Sequence, residues 1–143
     1  MSGDRPKIMV VDDLVEHREL LSQVLVDLGY AVDTAGDGRA ALEAIRSGSP
    51  PQLVLVDFWM PGINGNQFLA ALRAEPDAAR AKIPVVVMTA DPDGVVELLA
   101  SAPPDLLLEK PFGLRELRRA VVKFCGQGAT PHRWGAPTTQ EPA

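Results

Sequence analysis

Leu53-Val54-Leu55-Val56 is a run of four aliphatic residues, two of them β-branched, that stops on a carboxylate, Asp57. A short continuous apolar run of this kind reads as a strand buried on both faces. Met60-Pro61-Gly62 follows as a turn that continues neither strand nor helix. An acid at the carboxyl end of a buried parallel strand lies on the edge where open α/β sheets bind ligands. Asp57 is therefore a candidate nucleophile or metal ligand. A lone Asp in this setting more often just terminates the strand, so the rest of the chain has to decide.

The flanking sequence supplies the other layers. Residues 7–11 form a second apolar run, ended by the pair Asp12-Asp13. Residues 14–28 carry Leu21, Val24, Leu25 and Leu28 on one stripe and charged residues off it, which predicts a helix closed by Gly29. Residues 30–35 predict a more polar strand, suited to a sheet edge. A helix is expected over 39–46, begun by Asp37 or Gly38, and another over 66–74 after the Asn64-Gly65 turn. Residues 83–88 are a fourth apolar run, ending on Thr89-Ala90, and residues 95–100 predict a short helix after Asp91-Pro92-Asp93-Gly94. Leu106-Leu107-Leu108 predicts a fifth strand before Glu109-Lys110-Pro111-Phe112. The last helix is expected over 114–124, with Arg115, Arg118, Arg119 and Lys123 on its outer face.

Strand and helix thus alternate five times with no hairpin signal, the pattern of βαβ crossovers: a parallel sheet with helices on both faces. At 143 residues, 46% hydrophobic and 23% charged, the chain suits one domain with a real core. Residues 1–126 are assigned to that domain. Residues 127–143 lack periodicity and read as a flexible tail or linker. The net charge of −5 argues against wholesale neutralisation of nucleic-acid phosphates. The only cysteine, Cys125, rules out an internal disulfide. No apolar run approaches the roughly 18 residues of a membrane span, and residues 1–6 lack the apolar core of a signal peptide. A cytoplasmic protein is expected, with neither nucleic acid nor membrane as partner.

In a parallel sheet the strand ends at Asp12-Asp13, Asp57, Thr89 and Lys110 share one edge. Three carboxylates at close quarters repel unless a cation sits among them. An all-oxygen set without His or Cys suits a hard ion, Mg²⁺ above all. Thr89 and Lys110 add what a phosphoryl group needs, a hydroxyl donor and a compact positive charge. The chemistry inferred is phosphoryl transfer onto Asp57.

With Val10-Val11-Asp12-Asp13, Asp57 followed by Met60-Pro61-Gly62, Val87-Met88-Thr89-Ala90 and Glu109-Lys110-Pro111-Phe112 in this order, the chain resembles a response-regulator receiver domain of two-component signalling over about residues 6–126. The resemblance implies a flavodoxin-like (βα)5 fold with strand order 2-1-3-4-5. It implies that Asp57 is the phosphoacceptor, attacking a phosphohistidine on a sensor histidine kinase or phosphotransfer protein. Asp13 would bind Mg²⁺ directly and Asp12 would help through water, with Asp57 and the Trp59 backbone carbonyl completing the protein ligands. Thr89 would hydrogen-bond the transferred phosphoryl group, Lys110 would pair with it, and the Lys110-Pro111 bond would be cis.

Two positions depart from the pattern. Leu107 stands where such domains commonly carry a Tyr or Phe that swings inward on activation, so a switch here is expected to rely on shifts around residues 89–100. Trp59 replaces a small or polar residue, and its indole is expected to limit water access to the site. His17 reads as a solvated surface residue, His132 as part of the tail, and Cys125 as packing. The basic face of the last helix reads as solvated, or as an interface for a homodimer through the fourth and fifth helices. Competing functions are a degenerate receiver acting as a phosphorylation-independent interaction scaffold and an aspartyl-nucleophile phosphatase. The complete acid, Thr and Lys set argues against the first. The second wants an Asp-x-Asp motif after the first strand, where this chain has adjacent acids. The expected protein is a switch, not an enzyme acting on an outside metabolite.

Overall fold

The computed structural model describes residues 5–128. Five strands, β1 (Lys7–Val11), β2 (Ala31–Ala35), β3 (Leu53–Asp57), β4 (Val85–Thr89) and β5 (Leu106–Glu109), form one sheet in the order β2-β1-β3-β4-β5. Every neighbouring pair is parallel. The order follows from the sequence. The three strands buried along nearly their whole length, β1, β3 and β4, take the centre, while β2, with Asp33 and Thr34 exposed, and the shorter, partly exposed β5 take the edges.

Side chains alternate between two cores because successive strand residues point to opposite faces. Met9, Val11, Val54, Val56, Val85 and Val87 pack under α2 (Gly38–Ser47) and α3 (Gly65–Arg73), with Ala41, Leu42, Ile45, Phe68, Leu69 and Leu72. Ile8, Val10, Leu53, Leu55, Val86 and Met88 pack on the other face under α1 (Val15–Asp27) and α6 (Leu114–Cys125), with Leu25, Leu117 and Val121. Each fully buried aliphatic side chain contributes about 1.5–3 kcal/mol of transfer free energy, so the central strands are the most firmly held part of the fold.

At the amino ends of the strands, away from the acidic edge, Arg73 donates to the Ala81 and Ile83 carbonyls and to Asp105 Oδ2. Asp105 Oδ2 also accepts from the Val85 N–H. This clamp fixes where β4 and β5 begin.

Two elements differ from expectation. A four-residue helix, α4 (Ala78–Ala81), lies between α3 and β4, capped by the Asp77 side chain on the Ala79 N–H. The helix expected over 95–100 is instead a single turn, α5 (Pro92–Val95). Asp91 caps it through the Gly94 N–H and Pro92 holds a first-turn position, so the helix starts three residues earlier than the apolar pattern suggests. Beyond Val95 the Leu99 N–H still bonds the Val95 carbonyl at 3.0 Å, but the Ala100 and Ala102 N–H groups bond the Glu97 and Leu99 carbonyls, three residues back, so the backbone tightens and no continuous helix forms. Leu99 and Ala102 still reach the core, while Val96 and Leu98 are exposed.

After α6 the chain turns back onto the α1–β2 corner. Tyr30 Oη donates to the Gly126 carbonyl at 2.6 Å, and a Cβ on Gly128 would overlap the Leu28 carbonyl. The rest of the expected tail, from residue 129, lies outside the described residues. Among the described residues no helix is long and apolar enough to cross a membrane.

Candidate functional site

The backbone ladder of the sheet runs one residue past the strand ends and thereby fixes the site. The Asp12 N–H bonds the Ala35 carbonyl at 3.2 Å, the Phe58 N–H bonds the Met88 carbonyl at 2.9 Å, and the Lys110 N–H bonds the Thr89 carbonyl at 2.8 Å. Asp57 lies beside Met88 in register, and Thr89 beside Glu109. The four strand ends named from the sequence therefore meet on one edge.

Asp12, Asp13 and Asp57 each offer a carboxylate oxygen, and these oxygens lie within 4.8 Å of one another. Lys110 Nζ donates to Asp57 Oδ1 at 2.5 Å. The Lys110-Pro111 bond is cis. Asp12, Asp57 and Thr89 are the buried polar residues of the described chain. Burial pushes the Asp57 carboxyl above its ordinary range. The Lys110 hydrogen bond and charge oppose that rise, and the charges of Asp12 and Asp13 add to it.

Asp12 Oδ1 accepts from the Leu14 N–H at 3.0 Å, which anchors the loop into α1. Its other oxygen, Oδ2, is buried with no hydrogen-bond partner. A buried carboxylate oxygen is costly unless it is satisfied. Three converging carboxylates with one orphaned oxygen fit a hard divalent cation, and one lysine alone does not neutralise them.

Thr89 Oγ1 accepts from the Asp91 N–H at 3.0 Å, leaving its own proton free to donate. Phe58 and Trp59 meet edge to face, centroids 4.6 Å apart at 82°, but Phe58 is buried and Trp59 is 58% exposed. The turn after them has Pro61 followed by Gly62 at φ 83°, a conformation that L side chains rarely adopt. Leu107 is half-buried against the core on the α2–α3 face, so an aliphatic side chain fills the position of the usual aromatic switch.

Two residues near the site were not assigned to it from the sequence. Arg18 Nη1 donates to the Asp12 carbonyl at 2.7 Å, and a Cβ on Gly36 would lie 3.3 Å from it. Arg18 thus holds the first acid loop against the end of β2. His17, read as a surface residue, has its Nδ1 3.6 Å from Asp12 Oδ2. The signal for both was their place in the first turns of the helix that follows the acid pair. Cys125, by contrast, is half-buried, and burial pushes its thiol up to about 11, which fits packing and leaves little reactive thiolate near neutral pH.

The sequence profile of the response regulator receiver domain matches residues 8–122. The chain belongs to that family. A probable chemotaxis protein CheY of Rhizobium etli is 34% identical over 126 residues, covering 87% of this chain and 95% of the relative. The DNA-binding response regulator MtrA of Mycobacterium tuberculosis is 39% identical over 118 residues, covering 82% of this chain and 49% of the relative. The receiver thus spans nearly the whole of one relative and about half of the other. The response regulator TrrA of Thermotoga maritima, solved in complex with Mg²⁺ and BeF, superposes with a TM-score of 0.71 at 33% identity, covering 82% of this chain and 97% of that one.

Proposed function

We propose that this receiver is the phosphoacceptor switch of a two-component or phosphorelay pathway and that Asp57 carries the phosphoryl group. The observation that carries the proposal is the meeting of Asp57 with two further carboxylates and with Lys110 Nζ at one sheet edge. A carboxylate oxygen of Asp57 attacks the phosphorus of a phosphohistidine on a sensor kinase or phosphotransfer protein. The P–O bond forms as the P–N bond breaks, and the imidazole leaves as the neutral base once protonated. Lys110, already on Asp57 Oδ1, moves its ammonium onto a phosphoryl oxygen, and the Thr89 hydroxyl donates to another. Asp13 and Asp57, the Trp59 carbonyl, and Asp12 through water would hold Mg²⁺. That ion, when bound, supplies neutralisation of the charge that phosphoryl oxygens bring to an already acidic pocket.

The phosphorylated site then alters partner binding through residues 89–100, since Thr89 ties that segment to the site through the Asp91 N–H. A homodimer in this reading uses the exposed Val96 and Leu98 together with α6. Intact mass after incubation with acetyl phosphate and Mg²⁺ tests the proposal. One added phosphoryl group, absent with EDTA and absent in Asp57→Ala, is expected. No adduct, and no beryllofluoride complex, would favour the scaffold reading.

A further inference from the structure

The acidic edge has a nitrogen donor that an all-oxygen Mg²⁺ site does not use. His17, in the first turns of α1, is half-exposed, and its Nδ1 stands 3.6 Å from Asp12 Oδ2. Asp12 itself is only 1% exposed, and Oδ2 is the oxygen left without a hydrogen-bond partner. Its neighbour Oδ1 is occupied by the Leu14 N–H, and the nearby Arg18 guanidinium is engaged on the Asp12 carbonyl rather than on the carboxylate. An unsatisfied buried carboxylate oxygen therefore faces an accessible imidazole, with nothing of opposite charge bonded to either.

We propose that His17 and Asp12 open this site to a second class of cation, a borderline transition-metal ion with Zn²⁺ as its representative. The inference rests on the reading of Asp12 as part of a cation site. Mg²⁺ prefers oxygen and keeps its waters, whereas imidazole and carboxylate together are a usual zinc pair. With each donor about 2.1 Å from the ion, two ligands at a tetrahedral angle stand about 3.4 Å apart. The observed 3.6 Å is close to that spacing before any ion draws the pair together. Because Asp12 serves both ions, zinc and magnesium exclude one another. Zinc held this way blocks phosphorylation instead of supporting it.

Calorimetric titration of the full chain with Zn²⁺ and, separately, with Mg²⁺ tests this, in the natural sequence and in His17→Asn. Both are run also in a His132→Asn background, so that the second histidine contributes nothing. The expected result is a Zn²⁺ affinity lower by about tenfold or more in His17→Asn, an unchanged Mg²⁺ affinity, and a Zn²⁺ affinity that falls as Mg²⁺ is added. Co²⁺ bound in place of zinc is expected to give visible absorption bands that shift when His17 is replaced, which a purely structural role would not produce. Equal zinc affinity with and without His17 overturns the proposal, as does a zinc affinity indifferent to Mg²⁺ in a protein that itself binds Mg²⁺. Loss of zinc and magnesium binding by the same factor in His17→Asn also overturns it, since His17 would then act only by disturbing Asp12. If the natural sequence binds zinc through His17 but binds no Mg²⁺, the zinc assignment stands and the magnesium reading of the site fails.

Discussion

At the residue scale the site is a balance of like charges around Asp57, the proposed acceptor. Asp57 is held ready by Lys110 and kept mostly out of water, while Trp59 stands two positions on with its ring in solvent against the edge of Phe58. Hydrolysis of an acyl phosphate needs a water in line with the phosphorus, and an indole free to fold over the site would obstruct that approach. Trp59→Asn is expected to shorten the phosphoryl lifetime severalfold, measured as the decay of the phosphorylated mass after the donor is removed. Equal lifetimes would mean that Trp59 does not limit water access to the site. The acids, the threonine and the lysine were legible in the sequence because each sits where an apolar run stops. Arg18 and His17 were not. Their roles depend on the α1 turn bringing them back over Asp12, and nothing in the pattern of a charged helix face separates them from their solvated neighbours Glu16 and Glu19.

At the element scale the decisive piece is the short connection from β3 into α3. Asn64 caps α3 by accepting from the Gln67 N–H, while the Gln67 side chain accepts from the Asn64 N–H. Gly65 packs so tightly that a Cβ would lie 3.0 Å from Phe58 Cα, and its N–H bonds the Phe58 carbonyl. The loop bearing Trp59 is thus tied at both ends. Asn64→Ala is expected to cost about 1 kcal/mol, seen as a thermal midpoint lower by a few degrees, while phosphorylation of Asp57 persists. Unchanged stability would mean that the cap is not what holds this helix start. The sequence also told the central strands and the long helices apart, because short unbroken apolar runs bounded by turn residues differ from stripes of period 3.6. It failed where those patterns lapse. Residues 78–81 bury nothing and so leave no apolar stripe to read. Over 95–100 the buried positions Val95 and Leu99 stand at helical spacing, but tight turns, not a continuous helix, deliver them to the core.

For the whole molecule, the acidic edge is an electrostatic cost that folding accepts and that the proposed cation would relieve. Binding to the folded state alone stabilises by mass action, about 2.7 kcal/mol when the free ion is at a hundred times its dissociation constant. Mg²⁺ is therefore expected to raise the thermal midpoint, and EDTA to reverse the rise. Asp13→Asn should do two opposite things: raise the midpoint of the metal-free protein, by removing one of three repelling charges, and abolish the Mg²⁺ increment. A midpoint indifferent to Mg²⁺ in the natural sequence would contradict a cation site built from Asp12, Asp13 and Asp57.

One carboxylate, that of Asp57, is proposed to accept the phosphoryl group. Trapping the phosphorylated protein with borohydride, which reduces an acyl phosphate to the alcohol of homoserine, and then sequencing the peptides by mass spectrometry identifies the acceptor. Homoserine is expected at position 57 and nowhere else, dependent on Mg²⁺ and lost in Lys110→Ala or reduced well below the natural level. Homoserine at position 12 or 13, or phosphoryl recovered on a histidine instead, would contradict that assignment.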